Sequence, residues 1–106
     1  MILDAETLYA FFVRNSQRHW SVAGAVELAV THEELVVSPF VIVELEKLVR
    51  DRVGAEAWPK VLQELGGGAW TIAAVGAAHL TAMSGHVEGG ATLAEASVAV
   101  LAEGDS

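Results

Sequence analysis

Asp4, Glu44 and Glu95 are the residues of this chain whose types and positions could do chemistry together. Asp4 closes the short apolar run Met1-Ile2-Leu3. Glu44 stands on the first turns of a helix that follows Leu35-Val36-Val37, and Glu95 on the first turn of the last helix. In an open parallel sheet the loops that follow the strands converge on one crevice, and ligands bind there. Carboxylates that converge repel one another unless a cation sits among them, and Mg²⁺ or Mn²⁺ is the natural choice because hard cations prefer oxygen ligands. Such a cation can activate water and stabilise charge on a phosphodiester.

Each acid also has a local explanation. An acid near a helix start complements the helix dipole. Glu44 and Glu46 both flank the apolar stripe of their helix, so angular position does not choose between them. Thr92-Leu93-Ala94-Glu95 has the pattern of a capping box, in which threonine and glutamate satisfy each other's backbone donors. The strongest case is Asp4, because an acid that ends an apolar strand is costly without a partner.

Other candidates read as structural. His79 and His86 lie seven residues apart with no third ligand at suitable spacing, which predicts surface or half-buried histidines. Trp20, Trp58 and Trp70 could stack on bases but are expected to pack. Arg14, Arg18, Lys47, Arg50 and Arg52 could form a phosphate-contacting rim, and a solvated helix face explains Lys47 and Arg50 equally well. Gly66-Gly67-Gly68 precedes a strand, whereas a phosphate-cradling loop follows one and opens a helix, so a nucleotide loop is rejected.

The elements that must position the acids follow from periodicity. Leu8, Tyr9, Phe11 and Phe12 continue from Asp4 at helical spacing, and Val22, Ala25, Val26 and Ala29 mark a helix over 17–30. Leu35-Val36-Val37 is β-branched without polar alternation, as in a strand buried on both faces. Ser38-Pro39 supplies an N-cap and a first-turn proline for a helix over 39–53, which Gly54 stops. A helix over 55–65, a strand over 69–73, a helix from after Gly76 to about Val87 and a final helix from about Thr92 to Ala102 complete the series. The expected fold is α/β, a parallel sheet flanked by helices. The final helix is apolar round most of its circumference and needs cover on several sides.

With 106 residues, 53% of them hydrophobic, the chain is sized for one domain over 1–106 and is too apolar to be disordered. A net charge of −8 argues against a nucleic-acid module that works through its own basic surface, but not against an enzyme whose acidic site recruits cations. The absence of cysteine, of a basic apolar leader and of a membrane-length apolar run sets the expectation of a cytoplasmic protein outside the membrane.

Five segments together resemble the VapC-like branch of the PIN-domain ribonucleases, toxins of bacterial toxin–antitoxin pairs. They are Met1-Ile2-Leu3-Asp4, the stretch from Val36 to Leu45 (VVSPFVIVEL), Arg52-Val53-Gly54, Gly67-Gly68-Ala69-Trp70 and Leu93-Ala94-Glu95-Ala96-Ser97. The resemblance implies a three-layer PIN-like domain and an Mg²⁺-dependent endoribonuclease, with Mn²⁺ as a substitute. It further implies an RNA substrate, a cognate antitoxin and a homodimer. It selects Glu44 over Glu46 and makes Asp4, Glu44 and Glu95 the catalytic and metal-site residues.

The chain departs from that pattern at three places. Glu95 stands where the family usually has Asp, Ala5-Glu6 replaces a hydroxyl pair, and Ser106 comes where the family runs on into a further strand bearing a fourth acid. Asp105 falls too soon for that role. The alternative expectation is therefore a weakened or inactive PIN remnant that acts as an antitoxin-binding or oligomerising module. An unrelated small α/β interaction module is the third reading.

Overall fold

The computed structural model describes residues 1–104, so Asp105 lies outside the described residues. The order is β1 (Ile2–Leu3), α1 (Ala5–Phe12), α2 (His19–Val30), β2 (Val36–Val37), α3 (Pro39–Arg52), a 3₁₀ turn (Ala55–Ala57), α4 (Trp58–Leu65), β3 (Thr71–Ile72), α5 (Ala77–Glu88) and α6 (Leu93–Gly104). The three strands form one parallel sheet in the order β1-β2-β3, with helices flanking it. Every strand-to-strand connection passes through helices, as parallel pairing requires.

The register places Ile2 opposite Val36 and Val36 opposite Thr71, with Leu3, Val37 and Ile72 one step on. Pairing reaches beyond these short ladders: Val36 N–H donates to Met1 O at 2.8 Å, Thr71 N–H to Leu35 O at 2.8 Å and Ala73 N–H to Val37 O at 2.9 Å. Hydrogen bonding thus extends the ladders by a residue beyond the short strands, but the third strand, expected over 69–73, pairs only from Thr71. The two outer strands differ in cover. Leu3 on β1 is buried, whereas both residues of β3 are exposed, so the helices cover the sheet least at that edge.

Local chemistry sets the helix ends. Asp4 is the N-cap of α1, its Oδ1 accepting from Thr7 N–H at 2.8 Å. Ser38 caps α3 through Phe40 N–H at 3.1 Å, with Pro39 at the first helical position, where its missing N–H costs nothing. After α3 the backbone reverses at Gly54, whose φ of 144° is a conformation that side-chain-bearing residues rarely adopt. The expected helix over 55–65 is divided because Pro59 reshapes its first turn into a 3₁₀ segment ahead of α4.

Leu3, Leu8, Val37, Val41, Leu45 and Val49 make the centre of the core, each almost wholly buried. They come from β1, α1, β2 and α3, the elements that carry Asp4 and Glu44. Trp58 and Trp70 pack as expected, with Trp70 ringed by Phe11 and Phe12 at centroid separations of 5.4 and 5.7 Å. Trp20 does not: it is 77% exposed, because α2 turns it away from α1. His79 is half-buried and caps α5 by accepting from Gly76 N–H at 3.1 Å, and His86 faces Glu103 across α5 and α6 at 3.4 Å.

The least legible feature of the core is polar. Ser97 of α6 and Ser38 at the head of α3 are buried and hydrogen-bonded through their hydroxyls at 2.7 Å, and Ser97 also donates to Ala94 O at 2.7 Å. This contact binds the amino-terminal half of α6 to the N-cap of α3. We expect Ser97→Ala to lower unfolding free energy by about 1–2 kcal/mol in urea denaturation. Adding Ser38→Ala should then cost less than it does in the wild-type background.

Candidate metal centre

Asp4, Glu44 and Glu95 lie on three separate elements, and the fold brings all three to the wall of one depression of ≈ 290 Å³, which Ala5, Glu6 and Leu48 complete. Asp4 arrives at the end of β1. Glu44 is carried by the α3 stripe whose neighbour Leu45 anchors the core, and Glu95 by the α6 turn held at Ser97. Asp4 and Glu95 are exposed and Glu44 is half-buried, so the acids are open to ions and to solvent.

Glu44 and Glu46 part company in the structure. Glu46 is engaged by Arg50 one helical turn on, at 3.0 Å, and does not line this depression. Glu44 lines it, and both glutamates border a larger neighbouring groove of ≈ 800 Å³ between α3 and the start of α6, walled by Phe40, Val43, Lys47 and Leu93.

Two of the three carboxylates already serve the backbone. Asp4 caps α1. Glu95 completes the capping box expected from its sequence: Glu95 Oε1 accepts from Thr92 N–H at 2.9 Å and Thr92 Oγ1 from Glu95 N–H at 3.1 Å. In each case the second carboxylate oxygen makes no such bond, so capping and ligation are not mutually exclusive. The donor set, all carboxylate oxygen, suits a small hard cation. The side chains share the depression without closing on a point, and among the described residues no three acidic or histidine side chains are gathered tightly enough to hold an ion.

Glu6 is the fourth acid of the depression, and its partner could not be found from spacing. Arg52, at the far end of α3, donates from both terminal nitrogens to Glu6 Oε1 and Oε2 at 3.1 and 3.2 Å, and its guanidinium lies 5.0 Å from the centre of the Tyr9 ring. These bonds, and then the Glu6 charge itself, hold the Arg52 pKa above its ordinary value. Arg52 offsets one of the four negative charges at this wall. Of the expected phosphate rim, Arg52 and Arg50 are thus tied to acids, and Arg14 lies beside Trp20 in a different cavity.

No family model matches the chain. Over 80 residues, 76% of this chain, it is 42% identical to Ribonuclease VapC26 of Mycobacterium tuberculosis (strain ATCC 25618 / H37Rv). The chain is a VapC-like PIN-domain protein. It spans 58% of the length of that relative. The α/β architecture with its parallel sheet and flanking helices is in keeping with this. No helix among the described residues is long and apolar enough to cross a membrane.

Proposed function

We propose that this VapC-like chain is a divalent-metal-dependent endoribonuclease that works as the toxin of a toxin–antitoxin pair in the cytoplasm. The observation that carries the reading is the meeting of Asp4, Glu44 and Glu95, from three elements far apart in sequence, on one depression. Asp4, Glu44 and Glu95 would hold Mg²⁺ or Mn²⁺, and Lewis acidity toward a phosphodiester is the chemistry such a cation supplies when bound. Glu44, half-buried, gives the site its most sheltered charge. Asp4 and Glu95, both exposed, each keep one carboxylate oxygen outside their capping bonds. The apolar groove beside Glu44 suits a cognate antitoxin segment, and a second copy of the chain is the other expected partner.

A second reading has its own support. Asp4 and Glu95 are both committed to helix caps, and the acids do not close into a ligand cluster. That is the arrangement expected of a weakened or inactive remnant that keeps the fold and a partner surface.

Metal titration separates the two. For the nuclease, Mn²⁺ or Mg²⁺ raises the thermal midpoint of the purified chain in a concentration-dependent way, as binding to the native state alone must, and RNA is cleaved only when metal is present. No metal-dependent shift together with no cleavage of any RNA would overturn the nuclease reading and leave the remnant.

A further inference from the structure

Of the three tryptophans only Trp20 is left in solvent, 77% exposed on the outer face of α2. Its ring is nonetheless held in place. His19 beside it is buried, anchors its own ring by donating from Nδ1 to Ala10 O at 2.8 Å, and meets the Trp20 ring edge-on with centroids 4.9 Å apart. An exposed indole propped by its neighbour is a ready platform for a flat ring, since every nucleobase has a π-face to stack on it.

Trp20 borders a cavity of ≈ 390 Å³, within the size range of small-molecule pockets, which Phe11 and Phe12 wall on the α1 side. Trp20, Ala23 and Glu27 recur at helical spacing and present one ridge of α2 to it. Between Trp20 and Glu27 that ridge runs for about 10 Å, and the small side chain of Ala23 leaves its middle open. Side chains of a helix lean toward its amino end, so Glu27 leans back toward this gap. Glu64 comes from α4 and Arg14 from the turn after α1. The side chains of Arg14, Glu27 and Glu64 enter no hydrogen bond or ion pair among the described residues. Charges of both signs thus surround a bare aromatic ring without neutralising one another.

We propose that this cavity is a binding site for a guanine nucleotide, with the base stacked on Trp20, its Watson–Crick edge read by Glu27 and Glu64, and its phosphate held by Arg14. Carboxylates only accept hydrogen bonds, and guanine alone among the four bases of RNA presents two adjacent donors on that edge, N1–H and N2–H₂. Adenine and cytosine each set an acceptor beside their amino donor, and uracil flanks its single donor with carbonyls, so both patterns turn a lone pair toward the carboxylate. A cationic ligand would suit the two glutamates but be repelled by Arg14. A neutral base carrying an anionic phosphate uses both signs of charge. The ligand is either a guanosine within an RNA strand or a free guanine nucleotide, which share this chemistry. The inference goes beyond the nuclease reading and does not depend on it: α2 and α4 contribute nothing to the acidic depression, and binding is measured without metal or cleavage.

The test follows the full chain by ¹H–¹⁵N NMR during titration with GMP, AMP, CMP and UMP, with the Trp20 indole N–H identified by its loss in Trp20→Phe. GMP is expected to shift the Trp20 indole and the Ala23 amide signals and to bind about tenfold more tightly than the other three. Trp20→Ala should weaken GMP binding about tenfold through loss of stacking. Glu27→Gln and Glu64→Gln should each narrow the preference for GMP over AMP several-fold, and Arg14→Ala should weaken GMP while leaving guanosine, which has no phosphate, unchanged. All four positions are exposed, and thermal midpoints confirm that each variant folds. An oligouridine with one central guanosine assigns the source: it binds more tightly than GMP if the site takes an RNA strand and no more tightly if it takes the free nucleotide. The proposal is overturned if no nucleotide moves the Trp20 signal, if all four monophosphates bind alike, or if GMP binds but Glu27→Gln and Glu64→Gln keep the full preference for it.

Discussion

Asp4→Asn is expected to leave the fold standing and remove metal-dependent RNA cleavage. Asparagine caps a helix as well as aspartate does, so the bond from Thr7 N–H survives and the thermal midpoint without metal should stay near that of wild type. What disappears is the charge, and with it an anionic oxygen for a hard cation. The loss in cleavage should be at least the roughly 10–100-fold that removing even an outer-shell partner of a metal ligand costs. Asp4→Ala removes both functions and should cost a further ~0.5–2 kcal/mol of stability as the cap is lost. The pair of variants thus separates the structural duty of Asp4 from its chemical one. If Asp4→Asn cleaves RNA as wild type does, Asp4 is a cap and nothing more, and the proposed site is wrong.

The largest loss of stability is expected from Leu45→Ala. Leu45 is wholly buried in the hydrophobic core and is the neighbour of Glu44. Truncating a buried leucine to alanine typically costs about 2–5 kcal/mol, set by how far the cavity collapses. Against a total of about 5–15 kcal/mol for a typical domain, that is a large share. In a chain of this size each kcal/mol lowers the thermal midpoint by roughly 4–8 °C. Val43→Ala, on the exposed side of the same helix, serves as the control and should stay within about 0.5 kcal/mol of wild type. Equal losses at the two positions would show that Leu45 does not anchor the core. Metal-dependent stabilisation should weaken in Leu45→Ala and persist in Val43→Ala, because only the first loosens the backbone that presents Glu44.

Much of the fold was legible because its determinants are local. Ser38-Pro39 announced the start of α3, Asp4 the start of α1 and Thr92 with Glu95 the start of α6, since caps are satisfied by backbone groups two or three residues away. The β-branched Val36-Val37 run gave the central strand for the same reason, as a strand covered on both faces must be apolar throughout. Where local rules compete, the expectation slipped. Pro59 divided a helix that periodicity alone reads as continuous, and Trp20, apolar and on an apolar helix, was expected inside but faces out.

The candidate site divides along the same line. Its acids could be named from the sequence because each stands at a strand exit or on a helix carrying a VapC-like segment, and residue type and order are properties of the chain. That Asp4, Glu44 and Glu95 share a wall, that Glu46 is taken by Arg50 while Glu44 is left to the depression, and that Arg52 crosses from the end of α3 to neutralise Glu6 were decided only by the tertiary structure. So was the Ser38–Ser97 bond, between residues 59 positions apart, which sets α6 against α3. The physical reason is one of range. Capping and periodicity act within a few residues and leave a trace in spacing, whereas the pairing of distant charges and hydroxyls depends on which helix faces meet, and that is determined by packing of the whole core.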